Sequence, residues 1–161
     1  MDVSRFNLPA SVTDRVAFFP YEDILTAMFE KAFPELRFET FVPEVMTYPM
    51  ITGARFAPQG GWSGDPRFID SGPVRINVFC AGPDGDVEAF LISEAIRVMM
   101  LEASLERWNF PGLGSIVNIT MSAEPSDVND WATASGVVQF ADLPKNVVRF
   151  ETVYQMTIRR S

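Results

Sequence analysis

The chain has 161 residues, 47% of them apolar, a formal net charge of −8, one cysteine and no histidine. That is the size of one domain with enough apolar residues to build a core. The missing His excludes Ser-His-Asp and Cys-His catalysis within one chain, the single Cys80 excludes an internal disulfide and in practice a structural zinc site, and the acidic balance lacks the basic footprint of a nucleic-acid binder.

Residues 1–20 read as an N-terminal arm. Leu8-Pro9 and Phe19-Pro20 are extended dipeptides, because the residue before Pro avoids the α region. Phe6, Leu8, Phe18 and Phe19 suit docking, either on this chain or on a neighbouring subunit. The start M-D-V-S-R-F-N-L-P has no long apolar stretch, so no secretory signal is expected. No run of 18 apolar residues predicts a membrane-spanning helix, and the chain is expected to be made in the cytosol.

A first helix is predicted from about Tyr21 to Phe33. Ile24, Leu25, Met28, Phe29 and Ala32 recur at helical spacing, Glu22 and Asp23 suit the first turn, and Pro34 stops it. A strand follows over Leu36 to Val42, ended by Pro43. Two further strand-like runs, Met50 to Phe56 and Val74 to Ala81, flank a centre with Pro58, Gly60, Gly61, Gly64 and Pro66. Trp62 and Phe68 are interleaved there. This pattern predicts a long hairpin with a presented loop, and loops of that length are usually functional. Arg55, Arg67 and Arg75 lie in the same region with Asp65 and Asp70. Arg, Trp and Phe are enriched at interfaces, so charge pairing to a partner is the functional reading and surface ion pairing within the chain the plain one.

The longest element is a helix capped by Asp84 and running to about Trp108. One stripe on it is Val87, Leu91, Glu94, Val98, Leu101, Leu105 and Trp108. A second is Ile92, Ile96, Met99 and Ala103. Together they are wider than the apolar face of an ordinary surface helix. Either the helix is buried on two sides, or one stripe faces another subunit. Ile116 to Ser122 then reads as a strand, and Glu124 to Pro144 as an irregular segment with a short helix near Ser126 to Ala132. The last strand, Val147 to Arg159, alternates strictly, with Val148, Phe150, Thr152, Tyr154, Met156 and Ile158 on one face.

The order predicts an α+β fold over residues 21–161: a mixed or antiparallel sheet of four to five strands, with one long and one shorter helix on one face. Catalytic motifs are lacking. Gly60-Gly61-Trp62-Ser63-Gly64-Asp65 is not a P-loop, and the acids in F-C-A-G-P-D-G-D would repel phosphate. Asp65, Asp70, Asp84 and Asp86 match no EF-hand spacing. No catalytic residue, metal or cofactor is expected. The residues expected at a subunit or partner interface are Arg55, Phe56, Trp62, Asp65, Arg67 and Phe68 from the hairpin, with Ile92, Ile96 and Met99 from the long helix.

Several segments together carry a resemblance: the E-D-I-L helix start, F-V-P-E and Y-P-M-I, the Gly-Gly loop with D-P-R-F-I-D, V-R-I-N-V-F, the long helix, and V-V-R-F-E-T-V-Y-Q-M-T-I-R. In order and texture, over about residues 21–160, the chain resembles the tail terminator (tail completion) proteins of long-tailed siphophages, particularly those of actinobacterial phages. Residues 1–20 and the region around Trp131 depart from that pattern. The resemblance implies a non-enzymatic subunit of a hexameric ring, assembled in the host cytoplasm and carried in the virion. The ring would cap the tail tube protein, stop its polymerisation and join the head–tail connector. DNA would pass through its lumen without specific binding. The alternatives are a head–tail connector or tail-tube protein of the same virion, and a small ligand-binding α+β domain.

Overall fold

The computed structural model describes residues 7–14, 20–56, 68–128 and 146–159. Among them are helices α1 (Ala10–Thr13), α2 (Tyr21–Ala32) and α3 (Gly85–Leu105), and strands β1 (Arg37–Glu39), β2 (Met50–Arg55), β3 (Ile69–Ala81), β4 (Asn109–Phe110), β5 (Gly114–Asp127) and β6 (Val147–Arg159). The fold is α+β, as expected, with one mixed sheet curled into a half-barrel. Its order is β1-β2-β3-β6-β5-β4, so it has six strands rather than four or five. The extra one is the two-residue β4, too short to show any period.

The sheet is built on β3 and β6, which pair antiparallel from Ile69↔Arg159 to Ala81↔Val147. Alternation places Thr152, Tyr154, Met156 and Ile158 inward, beside Val74, Ile76, Val78 and Cys80. β3 begins at Ile69 rather than Val74, and so carries Pro73 inside an inner strand. The Pro73 carbonyl accepts from the Phe56 amide on the β2 side. Since N and C=O of one strand residue point the same way, the missing N–H also faces β2, just past its end at Arg55, and the ladder to β6 loses nothing. Among the described residues, β1 with β2 is the only parallel pair. β1 is three residues long, shorter than the predicted Leu36 to Val42.

α2 lies over β1 and β2, and α3 over β3, β6 and β5, both on one face of the sheet. Pro20 and Pro34 bound α2, and Glu22 and Asp23 occupy its first turn, where carboxylates favour the helix dipole. It buries Tyr21, Ile24, Leu25, Met28 and Phe29. Phe29 stacks on Phe38 at 4.3 Å. Phe38 in turn lies across Gly53, where a Cβ would come within 2.9 Å of its ring. That close approach is why a glycine sits in the middle of β2.

Asp84 occupies the α3 N-cap position, but its side chain makes no capping hydrogen bond. The C-terminus is tied off by the Trp108 amide donating to the Ala103 carbonyl at 3.0 Å, with Arg107 in the left-handed region at φ 50°. This is the closure that glycine usually supplies. Trp108 packs edge-on to Phe110, its indole N–H donates to Glu106, and the Lys31 ammonium of α2 sits 3.7 Å from its ring centre. One side chain thus ties the end of α3 to α2 and to β4.

β5 runs from Gly114 to Asp127. Glu124 to Asp127 are therefore strand, not the start of an irregular segment, and Ser126 is not a helix cap. Three register shifts against β6 account for the misreading, because each extra residue breaks the alternation. The remainder of the predicted irregular segment beyond Val128 lies outside the described residues up to Lys145.

The opposite face of the sheet is not wholly solvated either. Met50, Phe79 and Val147 form a second small core with Val42, Met46 and Tyr48. Beside it Arg149 is fully buried. Its guanidinium donates to Asn77 Oδ1 at 2.9 Å and to Glu151 Oε2 at 3.2 Å, and Asn77 in turn donates to Thr52. Burial holds the Arg149 pKa below the usual guanidinium range, while Glu151 opposes that shift. No helix among the described residues is long and apolar enough to cross a membrane.

Candidate interaction surface

The two stripes of α3 have opposite fates. Ile96 and Met99 are buried against the sheet, and Ile92 is half-buried at the margin of the same core. The structure therefore corrects the expectation that this stripe meets a partner, since Ile96 and Met99 have no surface to offer. The inner face is completed by Ala89, Ser93, Met100 and Ala103. Three of these are small, so the helix sits close on the strands, and the Ser93 hydroxyl is satisfied by the Ala89 carbonyl.

The outer stripe is left bare. Val87, Phe90, Leu91, Val98, Leu101 and Leu105 are each between 48% and 74% exposed. Single exposed apolar residues are ordinary, but a contiguous row along one helix marks a contact surface. Val87, Leu91, Glu94, Val98, Leu101 and Leu105 are separated by alternate steps of four and three. The five steps average 3.6 residues, the helical repeat itself, so the row stays straight along the helix. Glu94 interrupts the row and is paired to Arg97 at 2.6 Å.

The row borders a groove of about 390 Å³ between α3 and β5, lined by Arg97, Val98, Leu101, Ile119, Met121 and Tyr154 with Met100. Tyr154 is itself buried, and its hydroxyl has no hydrogen-bond partner among the described residues. Burial pushes that hydroxyl up to about 12, with Arg97 opposing and Glu94 adding to the shift. The residues of the groove were legible as two apolar faces in the sequence. What the sequence did not show is that they meet, because nothing in a strand pattern tells which neighbour a helix will lie over.

The hairpin does exist as the antiparallel β2–β3 pair. Trp62, Asp65 and Arg67, the tip residues expected at an interface, lie outside the described residues, and Phe68 at the re-entry is exposed. Arg55 is turned inward. It bonds Asp70 at 3.0 Å and the Ser71 carbonyl, lies 4.7 Å from the Tyr21 ring centre, and runs across Gly72 so closely that a Cβ there would meet its Nε at 2.6 Å. Its amide donates to Glu22. Arg55 therefore joins α2 to the hairpin within one chain. Arg75 likewise pairs with Glu151 at 3.5 Å and packs over the ring of the half-buried Phe56. For Arg55 and Arg75 the plain reading, ion pairing within the chain, is the one the structure shows.

Cys80 is buried beneath α3, and burial together with nearby Glu88 pushes its thiol up to about 11, which leaves it protonated and inert at neutral pH. Among the described residues no group of three or more acidic or cysteine side chains is placed to hold a metal ion. No protein-family model and no curated protein matches this sequence.

Proposed function

We propose that this chain is a structural assembly subunit of a siphophage tail, of the tail terminator type: a ring that caps the tail tube, ends its growth and joins it to the head connector, with DNA passing through the lumen. The observation that carries the reading is the bare apolar row on α3. A helix that already buries one full face in its own core and still presents Val87, Leu91, Val98, Leu101 and Leu105 to water is built to be covered by another protein. The resemblance in segment order supplies the identity of the assembly. The net charge of −8 agrees with a lumen along which DNA slides, because phosphate contacts by Lys and Arg are what make nucleic-acid binding tight.

Negative-stain microscopy and mass photometry of the purified chain, alone and mixed with tail tubes, test this. Rings alone, or caps at tube ends, are the expected result. A chain that stays monomeric and decorates no tube overturns the reading, and long tubes formed by this chain alone would make it a tube protein instead.

A further inference from the structure

We propose that the outer row of α3 receives one amphipathic helix from a different protein, apolar at alternating three- and four-residue spacing and flanked by Lys and Arg. The inference rests on reading this face as an assembly surface, and it names the partner that the face fits. The first argument is spacing. A row that steps by four and three over Val87 to Leu105 stays in line for about 27 Å, and it complements another helix crossing at a shallow angle. An extended segment would follow such a row less well, since strand side chains repeat every second residue.

The second argument is charge. α3 carries Asp86, Glu88, Glu94 and Glu102 against the single Arg97. Asp86, Glu88 and Glu102 are exposed and border the apolar row, and Glu94 lies within it beside its partner Arg97. A partner flanked by Lys and Arg meets this border with opposite charge.

The same charges argue against a second copy of this chain. In an antiparallel pairing of two α3 helices that sets Glu88 opposite the Glu102 of the second copy, carboxylates meet at both ends, and the single Arg97 is already paired with Glu94 of its own helix. In a parallel pairing, two Glu94 carboxylates share one apolar layer. Each arrangement places like charges together, which destabilises it. Nor does the chain carry the partner itself among its described residues. The last turn of α2 has the single basic residue Lys31, and that side chain is engaged with Trp108. The groove beside Val98 and Leu101 adds a place for one large side chain of the incoming helix. Tyr154 forms part of the groove lining.

The test uses the full chain and three synthetic 21-residue peptides. One has leucines at three–four spacing with lysine flanks, one has the same leucines with glutamate flanks, and one has the lysine composition in scrambled order. Fluorescence anisotropy should show binding of the first, weakening as salt rises, with the other two at least about tenfold weaker. Leu101→Asp, on an exposed position that leaves the fold intact, should weaken the first peptide by about tenfold or more, the consequence of losing one buried leucine. Equal binding of the scrambled peptide, or of the glutamate peptide, overturns the proposal. So does self-association of the chain that Leu101→Asp abolishes, because a second copy then owns the face. Rings that persist while the lysine peptide fails to bind overturn this proposal and leave the ring reading standing. Peptide binding by a chain that neither forms rings nor caps tubes does the reverse.

Discussion

α2 and α3 lie side by side on the same sheet, yet they divide their apolar residues differently. α2 puts Tyr21, Ile24, Leu25, Met28 and Phe29 inward and leaves Glu22, Glu30 and Lys31 outward. Its hydrophobicity is consumed within the subunit. α3 buries a longer face, from Gly85 to Ala103, using small residues as well as large ones, and keeps Phe90, Leu91, Leu101 and Leu105 on the outside. The contrast teaches that a wide apolar helix need not be a deeply buried one. Where small residues allow one face to sit close on the sheet, the large residues opposite are available for something else.

The contrast can be broken most directly at two phenylalanines. Phe29→Ala removes a ring that is 1% exposed and stacked on Phe38, and should cost about 3–5 kcal/mol in urea unfolding. Phe90→Ala on the outer face of α3 should stay within about 0.5 kcal/mol. Similar losses at both positions would mean that the outer face is covered within the subunit. The next largest effect is expected on the far side of the sheet. Glu151→Gln removes the charge of a carboxylate that pairs with both Arg75 and the fully buried Arg149 and should cost about 1.5–3 kcal/mol. An unchanged denaturation midpoint would show that the pair contributes nothing net.

The tightness of the inner face of α3 can be read from pH. The Cys80 thiol has a reference value of 9.0 and about 11 in the fold. The folded chain holds that proton more tightly, so the contribution to stability is complete below pH 9 and is lost as pH rises from 9 to 11. The two-unit difference corresponds to roughly 3 kcal/mol. Cys80→Ala should flatten the stability profile between pH 9 and 10, below the point where the raised hydroxyls of Tyr154 and Tyr21, with a reference value of 10.0, begin to contribute their own fall. A profile identical to wild type would show that the thiol reaches water. The smallest effect concerns the end of α3. Arg107→Gly relieves a left-handed φ of 50° and should raise stability by about 0.5–1 kcal/mol, measured as an increased Tm.

Much of the fold was legible because its elements are long and locally consistent. Tyr21–Ala32 has spacing, acidic first-turn residues and a flanking Pro at each end, and its predicted bounds differ by one residue. β6 alternates over its whole length and was read with the observed ends. β1 was predicted but read too long, over Leu36 to Val42 rather than Arg37–Glu39, while β4 was missed because it has two residues and the extension of β5 because bulges interrupt the period. The candidate surface was half legible. Both stripes of α3 stand out in the sequence, but the choice between them depends on which one the sheet accepts. The clue was the set of small residues at Ala89, Ser93 and Ala103, which favour close packing. Arg55 and Arg75 were misjudged because their partners, Asp70 and Glu151, become neighbours only through strand pairing. For Arg75 and Glu151 that means residues far apart in sequence.

The outer edge of β5 has a consequence of its own. Its first two residues are covered by β4, the Ile119 amide is taken by the Ser104 hydroxyl of α3, and three bulges and Pro125 disturb the strand further along. Such an edge is a poor template for adding another strand. At high local concentration, unprotected sheet edges nucleate fibrils, which are extremely stable. The chain can expose an apolar row on α3 and still resist strand addition along β5, because the backbone of that edge is kept out of reach.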